Sequence, residues 1–238
     1  MFLSYLAVGI TTSMVLVQCR DCKDYELSAS DQSFLMKHYL RTSRIKEGLS
    51  KGKAIASGVT YARWGRKECP TGVEMVYTGQ AGGNQYTHKG GGVNYLCLPN
   101  NPENGEPFSA ATNQIFGAEY ELASSQFPSG MKNQKTLHNK EVPCTVCYQR
   151  KRSTVLMIPG RKTCYKGWTF EYKGYIMSDH KDYSSKEYVC VDQDAEPVDN
   201  KSSNEDGALF YGVKNKCGSL RCPPYKDATH VHCVVCTK

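Results

Sequence analysis

The side chains with most capacity for chemistry in this 238-residue chain are its twelve cysteines. Four of them form two short pairs, Cys144-Thr-Val-Cys147 and Cys233-Val-Val-Cys236. A two-residue gap suits a zinc knuckle or a thioredoxin-like redox pair. Zinc ribbons, however, belong to reducing compartments, and a redox pair belongs at a helix N-terminus after a strand. Structural disulfides are therefore the expected state. His230 and His232, two residues apart, share one face of a strand, where a metal would need a third ligand facing them; exposed strand histidines are the simpler reading. No metal or other cofactor is expected. The glycine-rich stretch 79–92 lacks the Gly-Lys-Ser/Thr of a phosphate loop and reads as a hairpin loop. Residues 192–206 hold six carboxylates without the order of a calcium-binding hand, so a solvated loop is expected, carrying the glycosylation sequon Asn200-Lys201-Ser202. Arg150, Lys151 and Arg152, with Arg161, Lys162 and Lys166 further on, form a basic connector whose charge would suit a sulfated glycan. No nucleophile elbow, His-Glu-x-x-His or triad spacing appears, so no enzyme is expected.

The elements that must position these groups are mainly strands. Tyr (16) and Gly (21) are abundant, and short apolar stretches are split by Gly, Pro and Asn, which predicts an all-β fold. The net charge of +7 is too modest and too dispersed for a nucleic-acid stripe. Residues 2–17 are apolar and uncharged but short of the ~20 residues that a spanning helix needs. A secretory signal over residues 1–19 is expected, leading to an oxidising compartment and leaving no membrane association after its removal. Removing Cys19 leaves an odd number of cysteines, and Cys22, beside the new N-terminus, is the natural one for a bond between chains. Residues 20–57 form an N-terminal segment. In it, Leu35 and Tyr39, and Met36 and Leu40, sit four apart, predicting a short helix over about 31–48 with Ser30 or Asp31 as N-cap.

Comparing the chain with itself reveals a duplication. Gly65-Arg66-Lys67-Glu68-Cys69 through Gly72, Tyr77 and Gly79 matches Gly160-Arg161-Lys162-Thr163-Cys164 through Gly167, Tyr172 and Gly174, all displaced by 95. The offset then shrinks: Cys97 matches Cys190 at 93, Gly117 matches Gly207 at 90, and Cys144 and Cys147 match Cys233 and Cys236 at 89. Two disulfide-rich subdomains follow, residues 58–149 and 150–238, related by a pseudo-two-fold and packed through shared sheets. In the second, Trp168, Phe170 and Tyr172 alternate with Thr169 and Glu171, predicting three aromatics on one sheet face; Val73, Met75 and Tyr77 predict the same in the first.

The half-repeat consists of an aliphatic strand, Cys69-Pro70-Thr71-Gly72, Tyr77 with Gly79, a lone cysteine and a closing Cys-x-Val-Cys. It resembles the duplicated carboxy-terminal non-collagenous domain of type IV collagen, and more closely the equivalent domain of the short-chain, spongin-like collagens of sponges and related invertebrate proteins. The resemblance covers about residues 58–238. It departs in having no Gly-X-Y tract, so no triple helix can form, and in carrying a local cysteine pair, Cys217 and Cys222, only in the second half.

The resemblance implies two β-rich halves and a domain that assembles, as a trimer in that family, in the extracellular matrix. It also implies nested disulfides: Cys69–Cys147 around Cys97–Cys144, and Cys164–Cys236 around Cys190–Cys233, leaving Cys217 to Cys222. The expected function is thus a secreted matrix protein, a glycoprotein whose partner is itself, with other matrix proteins or sulfated glycans as further partners. The alternative is a secreted glycan-binding, lectin-like module using exposed aromatics and the basic connector.

Overall fold

A computed structural model of the chain describes residues 57–238 other than 108, 124, 125, 200, 202 and 203. The expected signal, the helix over 31–48, Cys22 and the Asn200 sequon lie outside the described residues. Ten strands follow in order: β1 (Gly58–Trp64), β2 (Glu74–Gly83), β3 (Leu96–Pro99), β4 (Phe116–Tyr120), β5 (Pro143–Arg150), β6 (Val155–Pro159), β7 (Thr169–Ser178), β8 (Val189–Asp192), β9 (Ala208–Gly212) and β10 (His232–Thr237). The one helix among the described residues is the single turn α1 (Gln134–Leu137). The fold is all-β.

All ten strands join one mixed sheet. In the first half β5 lies between β1 and β2, and β3 pairs with β2; in the second, β10 lies between β6 and β7, and β8 pairs with β7. Every one of these pairings is antiparallel, and the register repeats as well. Tyr61, Cys147 and Met75 stand abreast in one half, and Leu156, Cys236 and Phe170, their repeat partners, stand abreast in the other. The halves meet where β1 and β8 run parallel, at Trp64 and Val191, and where β4 pairs parallel with β9.

The recurring motif residues have local physical jobs. Gly65 and Gly160 end β1 and β6 with φ of 87° and 78°, a left-handed turn that costs a glycine nothing. Gly79 and Gly174 each lie under a neighbouring strand so closely that a Cβ would run into the carbonyl of Leu98 or Val191. In the same strands Tyr77 donates its hydroxyl proton to the Cys97 carbonyl and Tyr172 donates to the Cys190 carbonyl, both at 3.0 Å. The Tyr-x-Gly motif thus docks the strand that carries the lone cysteine.

Two sequence expectations need correction. The stretch 79–92 is not all loop, because β2 runs through to Gly83. Nor do the aromatics share a face: each half carries a β-bulge, at Val76 in β2 and Glu171 in β7. One extra residue shifts the side chains beyond it to the opposite face. Phe170 is therefore 52% exposed while Tyr172 is 3% exposed.

Among the described residues five disulfides join Cys69 to Cys147, Cys97 to Cys144, Cys164 to Cys236, Cys190 to Cys233 and Cys217 to Cys222. They are the pairs that the resemblance implies. Such density belongs to an oxidising, extracellular environment. Among the described residues, no helix is long and apolar enough to cross a membrane. The core draws on both halves: Trp64 and Tyr95 of the first close on Phe210 of the second, with ring centroids 6.3 and 4.1 Å away. A second cluster gathers Tyr61, Cys147, Tyr172, Cys190, Cys233 and Val235.

Candidate assembly seam

Apolar burial does not by itself decide which face of one half meets the other, and polar groups mark the chosen contact. The face of β1 and β5 that carries Tyr61, Arg63 and Gln149 lies against β7 and β8. Tyr61 stacks on Tyr172, with ring centroids 6.2 Å apart, and donates its hydroxyl proton to Glu171 Oε2 at 2.8 Å. Burial first, and that carboxylate second, hold the Tyr61 phenol far above its ordinary range. Glu171 is the bulged residue, and the bulge is what turns its carboxylate inward; it also accepts from Gln149 Nε2 and Thr237 Oγ1. A buried carboxylate is tolerated where donors surround it in this way.

Arg63 completes the seam. Its Nη2 and Nε approach Asp192 Oδ2 at 2.7 and 2.8 Å, and Nη1 donates to the Glu68 carbonyl. The loop after β8 then runs along the turn after β1. Glu196 N–H donates to the Gly65 carbonyl, Lys67 N–H donates to Glu196 Oε1, and Arg66 Nε stands 3.5 Å from that same oxygen. Lys67 Nζ reaches the Val198 carbonyl at 3.1 Å, and Val198 N–H donates to the Glu141 carbonyl.

These contacts join unlike faces: the outer face of the first half meets the inner face of the second. The strand edges that correspond to both have no second strand beside them among the described residues. Among the described residues β6, the repeat of β1, pairs only with β10, and β3, the repeat of β8, pairs only with β2. At the repeat positions of Tyr61, Arg63, Glu171 and Asp192 stand Leu156, Ile158, Val76 and Pro99. Four polar seam residues thus have four apolar equivalents, of which Val76 is 54% exposed and Leu156 is 38% exposed, whereas Ile158 is buried against Val234, Cys236, Cys164 and Trp168.

No family model matches this chain. The remaining sequence-derived site residues separate into two groups. Arg150 is held by Glu74, with Nη2 to Oε2 at 2.6 Å, and Lys151 occupies a left-handed turn at φ 59°. Arg152 is partly buried. Arg161 lies over the Tyr165 ring at 4.4 Å, and Lys162 lines a small recess with Lys173, Tyr175, Gln193 and His232. Lys166 is exposed. The two groups flank the five residues of β6, a span of roughly 17 Å. The six basic residues therefore do not form one patch.

His230 and His232 both pack against Tyr175, and no group of three metal-ligating side chains occurs among the described residues. Burial lowers the affinity of both for a proton, with Lys162 the next cause at His232 and Lys214 at His230. In the acidic stretch, Asp192, Asp194 and Glu196 are paired to Arg63, Lys132 and Arg66.

Sequence reasoning did not single out Tyr61, Arg63, Glu171 or Asp192. The usable signal was the places where the two repeats differ: a polar residue in one half opposite an apolar one in the other.

Proposed function

We propose that this chain is a secreted structural protein of the extracellular matrix that works by associating with copies of itself, in the manner of a collagen-IV-like non-collagenous domain. The observation that carries the reading is the seam between the halves, whose two edge strands each recur, as β6 and β3, with one free edge among the described residues. A contact between unlike faces is heterologous, so repeating it between molecules gives a ring if the rotation closes and a filament if it does not. Leu156 of one copy would meet Val76 of the next, as Tyr61 meets Glu171 within the chain. Exposed apolar side chains at both sides of that contact supply the drive for association. The resemblance favours a trimer, built from two duplicated units in each chain.

Native mass measurement across a micromolar concentration series, with and without reductant, tests the proposal. A discrete oligomer that survives reduction of any bond between chains is expected. A monomer throughout would overturn the reading. A second reading, glycan binding, is favoured by one cluster: Tyr183, 40% exposed, packs with Tyr86, His180 and Tyr211 at centroid distances of 4.7 to 6.2 Å. Such a platform can stack on sugar faces. Retention on a glycan array by a strictly monomeric protein would support that reading instead.

A further inference from the structure

Within the chain, the basic turn Arg66-Lys67 holds the carboxylate of Glu196, and that arrangement has an unoccupied twin. The twin turn is Arg161-Lys162, displaced by 95. The loop corresponding to Glu196 follows β3. At the offset of 93 set by Cys97 and Cys190 the equivalent residue is Glu103, and at the offset of 90 that holds from Gly117 and Gly207 onwards it is Glu106. Either alignment places a carboxylate there, and residues 101–107 are all exposed.

We propose that Arg161 and Lys162 receive the acidic loop after β3, with Glu103 and Glu106, from a second copy of this chain. The proposal rests on the self-association reading and names its polar contact. The internal pair supplies the geometry: a backbone N–H and a guanidinium converging on one carboxylate, and a lysine ammonium reaching a carbonyl two residues further on. Charge complementarity supplies the partner. Around the Arg161-Lys162 turn the chain offers Lys173, His232 and Gln193 and no carboxylate in the recess that Lys162 lines, so the site is electropositive and suited to an acidic loop. Among the described residues Arg161 is spent on no acid; it donates to the Thr163 carbonyl and rests on Tyr165. One side chain differs between the twins. Tyr225, 40% exposed, lies against Gly160, whereas Ala195 of the received loop lies against Gly65. Seating the loop requires Tyr225 to turn outward.

This reading reassigns part of the basic connector. Arg161 and Lys162 become one side of a contact between chains instead of a landing site for a sulfated glycan.

The test is sedimentation equilibrium of the full chain with paired charge reversals, each variant first checked for native disulfides by peptide mapping. E103K/E106K and R161E/K162E should each weaken association roughly ten- to a hundredfold, because a like-charge contact replaces an ion pair. The chain carrying all four changes should recover most of that loss. Tyr225→Ala should associate at least as tightly as the wild type, and wild-type association should weaken between about 0.1 and about 1 M salt. If the wild type associates and both reversed variants associate equally well, this inference falls and the self-association reading stands. If the wild type remains monomeric, both fall. Loss of binding to a heparin fragment by R161E/K162E, with association unchanged, would assign the turn to a polyanion and also overturn the inference.

Discussion

The ion pair between Arg63 and Asp192 offers a sharp test of how the seam is held. Asp192 retains 3% of its side-chain exposure and Arg63 13%. Replacing Asp192 by Leu removes both guanidinium contacts to Oδ2 and the bond from Asp194 N–H to Oδ1, leaving Arg63 with the Glu68 carbonyl as its remaining acceptor. Breaking one side of a buried pair costs about 3–5 kcal/mol, and the residual exposure of Arg63 points to the lower end, about 3 kcal/mol. Arg63→Met should cost a similar amount, because it leaves the carboxylate buried without its cation. The double variant should lie within about 1 kcal/mol of wild type, since two apolar groups of similar volume replace the pair. Urea unfolding followed by the fluorescence of Trp64, one residue from Arg63, measures all four corners of the cycle. Disulfides should be intact and protein dilute, so that association adds nothing to the apparent stability. Single costs that simply add in the double variant would refute the claim that these charges act as a coupled pair. A cost below about 1 kcal/mol for Asp192→Leu would refute the claim that the seam is desolvated.

Removing Cys97–Cys144 by paired Ala substitution should cost about 4 kcal/mol and removing Cys217–Cys222 about 2 kcal/mol, reflecting sequence separations of 47 and 5, as read by thermal unfolding of each variant. Gly79→Ala or Gly174→Ala should abolish secretion of folded protein or lower stability by about 3 kcal/mol or more, because a backbone carbonyl blocks the new Cβ. By contrast, Gly72→Ala and Gly167→Ala, with open space but φ of 84° and 85°, should each cost only about 1–2 kcal/mol in the same assay. His230 and His232 bind protons less readily in the folded chain than in the unfolded one, so the unfolded state takes up more protons just below pH 6.5. Stability should therefore fall as pH drops through about 6.5, and His230→Gln with His232→Gln should flatten that slope in urea titrations at stepped pH.

Much of the fold was legible because the chain states its pattern twice. The common displacement of Gly65, Cys69, Tyr77 and Gly79 could survive only if each residue had the same neighbours in both halves, as the twin Tyr hydroxyl bonds show. The bulges were not legible. A strand read by alternation has no marker for one extra residue, and Glu171 looked like an outward polar position when it is the buried acceptor of the seam. The seam itself escaped for a related reason. Arg63 and Asp192 are 129 residues apart, and a charge in a strand reads as solvent-facing until another surface is laid on it. The basic connector was legible as charge but not as geometry, since proximity in sequence across β6 placed Arg150 and Arg161 at opposite ends of a strand.

The exchange of polar for apolar residues between the two seam positions has a mechanical consequence for any ring built by this contact. Such a ring alternates two kinds of joint, so the number of half-units around it is always even, and an odd count cannot close without forcing a polar face onto an apolar one. Within a chain the joint is backed by covalent continuity through residues 151–154 and by hydrogen bonds fixed in direction. Between chains it would rest on Leu156 and Val76, which tolerate sliding, and on the salt-screened pairing of the Arg161-Lys162 turn with the acidic loop after β3. Under tension or dilution the ring would therefore part at every second joint and release whole chains, each keeping its five disulfides and its internal seam closed.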